Sequence, residues 1–419
     1  MKKTRIGLIG LGTVGSGLVE YLKENGAEVD RKAGCEIILH RVFDRNPYKL
    51  AMVPEEARAG SIDEVIDDPE VDIFVELVGG KKAAEYMLQA LRKGKHVVTA
   101  NKAALAEQGP EIFREAAAAG RSVGFEASVC GGVPVIRMLR ENLDRIDGIK
   151  GILNGTTNYI LSKMDHENLD YEVALKKAQE LGFAESDPAF DVEGLDAAQK
   201  LSILAFLAFG VMIDYRKIFT EGITSLTRKD IEYARDFGYS IKLIAEASMN
   251  EHLKLFVRPV LVPMSHPLAS VRNEFNAVYI TGKWFGPQLF LGKGAGKKPT
   301  ADAVIRDIVE IAKGMPAVPT FAAEGSVKVA EPGSLESMFY LCFSAVNKPG
   351  VLAVIAGILG KNGINIRSAV QKGSDESGSL VDVVITTSKA SQGAVERALE
   401  EIDGLDVVGR KTRCIRMEG

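Results

Sequence analysis

Asp196 and Lys200 stand four residues apart, so on a helix they share one face and a carboxylate meets an ammonium. Just upstream, Leu181-Gly182-Phe183-Ala184-Glu185-Ser186-Asp187-Pro188 brings two more acids, and Asp191 follows. From Leu201 to Ile213 the chain becomes too apolar to face water on any side, which implies that the pair is partly buried. A partly buried lysine among carboxylates is a candidate proton donor, and the remaining carboxylates can seat a substrate ammonium. The competing reading is a surface ion pair at helical spacing, worth about 0.2–0.5 kcal/mol.

A second group of residues suits a phosphate ligand. Gly10-Leu11-Gly12-Thr13-Val14-Gly15 follows an apolar strand directly and opens a helix. Its glycines permit a tight turn, close backbone approach to a pyrophosphate and close helix packing, with the phosphates on the helix N-terminus. The acid expected at the end of the second strand is Asp44, further along than the usual roughly 20 residues because NGAEVDRKAG lengthens the connection. A carboxylate there accepts from ribose hydroxyls, while Arg45 and Lys49 can offset its charge, so NAD and NADP both remain open. Thr99-Ala100-Asn101-Lys102 ends another strand on the ligand-binding side of such a sheet; Lys102 serves cofactor or substrate, or is a solvated helix-start lysine. Asn154-Gly155-Thr156-Thr157-Asn158 suits an anion or ordinary N-capping.

The elements that must position these residues follow from periodicity. RIGLIG, EIILHRVFD, DIFVELV, HVVTA and SVGFEA alternate with helical stretches over residues 4–135, which predicts a parallel, doubly wound sheet of Rossmann type. Helices are expected over Leu153–Met164, Tyr171–Leu181 and, as one long element, Asp191–Ile213; residues 255–292 read as strands, giving an α/β second domain. GKGAGKKPTADAVIRDIVEIA reads as a Gly-rich loop and a helix from about Ala301, and residues 315–337, with Pro316, Pro319 and Pro332, read as a linker. After it the chain restarts as β-α-β-β-α-β, with GSDESGS as the central turn; this is the ferredoxin-like order.

Composition fits this division. A chain of 419 residues is too long for one ordinary core, and 46% hydrophobic with 26% charged residues is the balance of a soluble globular protein. The net charge of -4 offers no attraction to nucleic acid or an anionic membrane, so the partner is expected to be a small molecule. Cys35, Cys130, Cys342 and Cys414 form no C-x-x-C pair, and neither a zinc site nor a disulfide framework is signalled; reduced thiols and a cytoplasmic location are expected. The N-terminus shows no secretory pattern, and the longest apolar run falls short of the roughly 20 residues that span a bilayer. None of the five histidines falls in a metal-ligand spacing or beside a nucleophile.

Taken together, IGLIGLGTVGSG, VVTANKAALA, GGVPVI, GILNGTTNYIL, LGFAESDPAFDVEGLDAAQKLSILA and GKGAGKKPTA give the chain a resemblance to homoserine dehydrogenase with a C-terminal ACT domain, over essentially its whole length. The resemblance implies reversible NAD(P)H-dependent reduction of L-aspartate 4-semialdehyde to L-homoserine. By position it implies that Gly10, Gly12, Thr13, Val14 and Gly15 hold the dinucleotide, that Asn101 and Lys102 line its nicotinamide end, and that Gly182 and Gly296 also approach it. Glu185 and Asp196 match substrate-binding acids, Asp191 a further active-site acid, and Lys200 the catalytic lysine. The family often binds a monovalent cation such as sodium, here through Glu126 and the backbone carbonyls of Val129, Gly131 and Val133. Two departures are visible: Lys81-Lys82-Ala83-Ala84 follows VELVGG where the family has a proline, and Asn347 stands where ACT domains commonly have Asp.

The implied organisation is a nucleotide domain at 1–135 completed by 297–320, a substrate and dimerisation domain at 136–296, a linker at 321–337 and an ACT domain at 338–419. A dimer through the middle domain, or a tetramer through ACT pairing, is expected. The ACT domain implies an amino-acid effector, with L-threonine leading on end-product logic. The free N–H groups at Gly350 would receive its carboxylate, Asn347 and Asn365 its other polar groups, and truncation after Pro332 would keep activity while abolishing threonine sensitivity. The sequence leaves two rivals: another ACT-containing NAD(P) dehydrogenase, disfavoured by the lack of a well-placed His, and a non-catalytic amino-acid sensor, disfavoured by retention of Glu185, Asp191, Asp196 and Lys200.

Overall fold

A computed structural model describes residues 2–80, 82–315, 327–372 and 380–418. The GSDESGS turn, Lys81 and the first part of the expected linker lie outside the described residues. In chain order the elements are β1 (Lys3–Ile9), α1 (Thr13–Ala33), β2 (Glu36–Phe43), α2 (Ile62–Asp67), β3 (Ile73–Glu76), α3 (Ala83–Arg92), β4 (His96–Thr99), α4 (Lys102–Ala119), β5 (Val123–Gly124), α5 (Val135–Glu141), β6 (Ile146–Ile152), α6 (Gly155–His166), α7 (Tyr171–Glu180), α8 (Ala189–Val192) and α9 (Leu195–Phe209). They continue with β7 (Phe219–Thr220), α10 (Arg228–Asp236), β8 (Tyr239–Met249), β9 (Leu253–Pro263), β10 (Phe275–Gly282), β11 (Gly286–Lys293), α11 (Lys297–Ala312), β12 (Glu336–Val346), α12 (Val351–Lys361), β13 (Ile366–Lys372), β14 (Leu380–Thr387), β15 (Ala390–Ser391), α13 (Gln392–Asp403) and β16 (Val408–Met417).

The chain divides into two compact units. The first comprises residues 1–155, 195–218 and 274–327. Its parallel sheet has the order β2-β1-β3-β4-β5, the doubly wound arrangement expected from the alternating pattern. β1 from Ile6 to Ile9 and all of β3 are buried, as central parallel strands covered on both faces must be. α11 packs against α1, and Val304 and Ile308 join Ile6, Leu8, Leu18 and Val75 in one core. That helix begins four residues earlier than expected, because Pro299 falls in its first turn, where a missing N–H costs nothing. β6, β10 and β11 form an antiparallel sheet within the same unit.

The long helix expected over Asp191–Ile213 is two helices. Gly194 (φ 85°) separates α8 from α9, and Gly210 (φ 74°) ends α9, so the last apolar residues of that run are not helical.

The second unit comprises residues 156–194, 219–273 and 328–419. β8 pairs antiparallel with β9 along its whole length, from Tyr239↔Pro263 to Met249↔Leu253. β8 escaped the sequence reading because its middle eight residues are buried on both faces, which hides the alternation, and because Lys, Leu, Ala, Glu and Met are helix formers. The C-terminal β-α-β-β-α-β module is present as read, in the sheet order β16-β12-β14-β13. α12 and α13 cover one face through Ile355, Leu359, Val395 and Ile402 against Phe339, Leu341 and Phe343. β16 also pairs in parallel with β9 at Arg416↔Val260 and Met417↔Leu261, so the module's sheet continues into the β8–β9 ribbon. The described end of the linker is pinned too: Leu253 N–H donates to Lys328 O and Ala330 N–H to Leu253 O.

Candidate active site

In the first unit the strand order reverses between β1 and β3, and ligands of open α/β sheets bind at that crevice. The loop after β1 is built for close approach. Gly10 has φ 95°, and a Cβ there would lie 2.6 Å from Leu77 O; a Cβ on Gly15 would lie 1.9 Å from Gly10 O. Gly12, by contrast, would meet nothing within 4 Å, so the N-terminus of α1 faces open space, with no side chain capping it. That is the cradle a diphosphate requires, with exposed Thr13 and half-buried Val14 opening the helix. Asp44 has a use that sequence did not show: Oδ2 accepts Leu11 N–H at 2.5 Å and Oδ1 accepts Asn46 N–H at 2.8 Å, so it shapes the glycine loop directly. A carboxylate has roughly four lone-pair sites, so ribose contacts remain compatible with both bonds.

At the ends of β3 and β4 the polar groups are linked. Glu76, fully buried, accepts Val78 N–H at 2.8 Å and Gly79 N–H at 2.9 Å through Oε1, and the Thr99 hydroxyl at 2.7 Å through Oε2. Thr99 Oγ1 accepts Asn101 N–H at 3.0 Å. Asn101 caps α4 by accepting Ala104 N–H at 3.1 Å, and its Nδ2 donates to Gly80 O at 3.1 Å. Lys102 is the first residue of that helix.

The charged centre lies at the start of α9. Asp196 is buried, in the first helical turn, where the dipole favours an anion. Its Oδ2 accepts Lys200 Nζ at 2.7 Å and Asn154 Nδ2 at 2.8 Å, and its Oδ1 is 3.2 Å from Lys102 Nζ. Burial pushes this carboxyl up, but the two ammoniums outweigh burial and hold it at about 2. Lys200, nearly buried, also donates to Leu153 O at 2.7 Å. Two lysines from distant segments thus converge on one carboxylate that is ionised at any working pH, and such a pair of ammoniums can stabilise and protonate a developing alkoxide.

Comparison with known proteins decides the family. Residues 134–309 match the homoserine dehydrogenase family, residues 10–126 the homoserine dehydrogenase NAD-binding domain, and residues 340–404 the ACT domain. Homoserine dehydrogenase of Bacillus subtilis is 39% identical over 100% of this chain and 99% of its own. The crystal structure of a homoserine dehydrogenase from Thiobacillus denitrificans is 41% identical, with a TM-score of 0.93 over 100% of this chain and 99% of that one. The chain belongs to the homoserine dehydrogenase family. It is an NAD(P)-dependent oxidoreductase of amino-acid biosynthesis, with an NAD(P)-binding N-terminal sheet and a C-terminal ACT domain. A hyperthermophilic archaeal homoserine dehydrogenase in complex with NADPH is 28% identical, with a TM-score of 0.65, and covers 75% of this chain against 99% of its own. That relative lacks about a quarter of the present chain.

The remaining family positions are distributed more widely. Glu185 and Gly182 are exposed and Asp191 half-buried, all in the second unit. Gly296 (φ 118°) caps α11 in the first. Glu126 is buried and accepts Ile136 N–H at 2.9 Å and Arg137 N–H at 2.7 Å. Burial pushes it up to about 7 despite those bonds. Val129, Gly131 and Val133 follow on a loop turned by Cys130 (φ 57°) and Gly131 (φ 48°). In the ACT domain, Gly350 opens α12 in a left-handed conformation with no side-chain cap, and Asn347 Oδ1 accepts from Gln371 Nε2 at 3.4 Å. Asn365 instead donates to Ser388 Oγ at 3.3 Å, beyond the far end of α12, so one chain does not bring Asn347 and Asn365 together.

The sequence reading overlooked Glu76 and the carbonyl of Leu153. Glu76 had a signal: a lone carboxylate inside DIFVELV, a run otherwise apolar enough to be buried. The NGTTN motif divides its roles: Asn154 holds Asp196, while Asn158 Nδ2 donates to Asn273 O at 2.9 Å and is a packing group.

Proposed function

We propose that Lys200 is the proton donor in the reduction of L-aspartate 4-semialdehyde to L-homoserine, with Lys102 as its electrostatic partner and Asp196 as the acid that orients both. The observation that carries this is the carboxylate of Asp196 bridging the two ammoniums. When bound, the nicotinamide supplies the hydride to the aldehyde carbon. Negative charge then develops on the carbonyl oxygen, and an ammonium beside it lowers that charge and delivers the proton. In the reverse direction Lys200 accepts the proton from the alcohol. Glu185 and Asp191 are assigned to the substrate by their motif, Gly182 and Gly296 to the cofactor. Gly10, Gly12, Thr13, Val14, Gly15, Asp44 and Asn101 would hold the dinucleotide; the open face at Gly12 supports this.

Purified protein is expected to reduce NAD+ or NADP+ in the presence of L-homoserine, followed spectrophotometrically with each cofactor. No homoserine-dependent turnover with either would overturn the reading. The same assay in sodium-free buffer tests the cation. Glu126 is a buried acid whose carboxylate accepts from the backbone N–H groups of Ile136 and Arg137, and it stands beside a loop of backbone carbonyls, a donor set of hard oxygens that suits a monovalent ion. Turnover indifferent to sodium and potassium would remove that assignment.

The domain division 1–135 with 297–320, 136–296 and 338–419, a cytoplasmic location and assembly as a dimer or tetramer belong to the same proposal. No helix among the described residues is long and apolar enough to cross a membrane. Because Asn347 and Asn365 lie at opposite ends of α12, about 16 Å for eleven residues, an effector touching both needs a second copy. L-threonine is the proposed effector. Asn347→Ala is expected to raise the half-inhibitory threonine concentration about tenfold, the worth of one hydrogen bond to a charged ligand; an unchanged response would place the effector elsewhere. A concentration-independent monomer in sedimentation would defeat the two-copy site.

A further inference from the structure

We infer that Glu76 is a positioning residue that fixes the loop after β3 for the dinucleotide, an inference that rests on the cofactor reading above. Glu76 closes β3 next to both β1 and β4, with Thr99 as its register partner. Its two oxygens perform different tasks. Oε1 gathers the N–H groups of Val78 and Gly79, and Oε2 accepts the hydrogen bond of the Thr99 hydroxyl, which orients that oxygen's lone pairs to accept from Asn101 N–H. Asn101 then reaches back to Gly80 O. The result is a closed ring of hydrogen bonds joining the loop after β3 to the start of α4, where Lys102 meets Asp196.

Leu77 packs against the core at the base of that loop, but side-chain packing does not hold its tip. Val78 is 43% exposed, and a Cβ placed at Gly79 or Gly80 would meet nothing within 4 Å. The tip at Val78 and Gly79 is instead tied down by the carboxylate beneath it. The buried end of a strand needs no acid for stability, and burying one is costly unless its acceptors are used. The geometry spends that cost on a solvent-facing turn at the switch point, the place where a preordered loop lowers the entropy lost on binding.

The test measures NADH and NADPH binding by cofactor fluorescence, with amide hydrogen exchange on the cofactor-free full chain. Glu76→Ala is expected to weaken cofactor binding about tenfold, the order seen when a supporting partner is removed, and to speed exchange at Val78 and Gly79. The KM for homoserine should move less than about threefold. Glu76→Gln keeps an oxygen for the two N–H groups and should bind within about threefold of the parent. Should Glu76→Ala not fold, Thr99→Val cuts the ring at its second link and is expected to weaken binding about threefold. A folded Glu76→Ala or Thr99→Val that binds with parental affinity overturns the inference, as does a Gln variant no better than Ala. Failure of the parent itself to bind either cofactor would instead defeat the cofactor reading.

Discussion

Replacing Lys200 by alanine should lower kcat for homoserine oxidation by about 10²–10⁴-fold, the span a well-placed general acid or base contributes. The expected loss is specific to chemistry. Lys200 is on α9, away from the glycine loop after β1 in the sequence, so cofactor affinity by fluorescence should stay within about threefold. The fold should survive as well, because Asp196 retains Asn154 Nδ2 at 2.8 Å and Lys102 Nζ at 3.2 Å after the change. Arginine is not expected to rescue: its guanidinium stays protonated and its planar fork does not reproduce a point ammonium 2.7 Å from both Leu153 O and Asp196 Oδ2. Lys102→Ala should cost less than Lys200→Ala, since Lys102 is more exposed and its charge is correspondingly more screened. A Lys200→Ala enzyme with near-parental kcat would remove the assignment and turn attention to Lys102.

Those two lysines show what could be read before the structure. The Asp196–Lys200 pair was legible because helical spacing alone puts the two side chains on one face, and the apolar run after it announced burial. Its third member was not, since nothing in a sequence brings the start of α4 to the start of α9. The glycine loop was legible for a different reason: Gly10 and Gly15 touch backbone oxygens, so the residue type is dictated by space and survives as a motif. The position of Asp44 is legible in the sequence but its bond to Leu11 N–H is not, because that bond depends on the actual path of the loop. β8 is hidden by burial on both faces, and the break between α8 and α9 is masked by an apolar pattern that runs across Gly194 and Gly210. In the ACT domain the order of elements was plain, but the separation of Asn347 from Asn365 is a matter of which end of a helix each occupies.

The second large effect is expected at Asp230, where the ACT domain meets α10 within the second unit. Asp230 is fully buried, and all its acceptor directions are used. Oδ2 accepts Thr227 N–H at 3.0 Å and the Thr227 hydroxyl at 2.6 Å, completing a capping box on α10. Oδ1 accepts Arg413 Nε at 2.7 Å from β16 and the Tyr340 hydroxyl at 3.3 Å from β12. Asp230→Ala therefore removes a cap and leaves the partly buried Arg413 guanidinium without its carboxylate. Breaking such a pair from one side costs about 3–5 kcal/mol. The single tryptophan, Trp284, belongs to the first unit and will not report the change; hydrogen exchange in α10 and β16, or the far-UV thermal transition, will. Asp230→Ala with Arg413→Ala should cost less than the sum of the two, because the second change removes the charge stranded by the first. The same geometry alters what truncation after Pro332 can teach. Such a chain loses Arg413 and Tyr340 from Asp230 and bares the edge of β9 that β16 covers, inviting strand pairing between copies. Lost threonine sensitivity would then be mixed with lost stability, so point changes in the full chain separate regulation from folding. If Asp230→Ala unfolds within about 1 kcal/mol of the parent and exchange in α10 and β16 is unchanged, the clamp does not hold the ACT domain to the strands beside it.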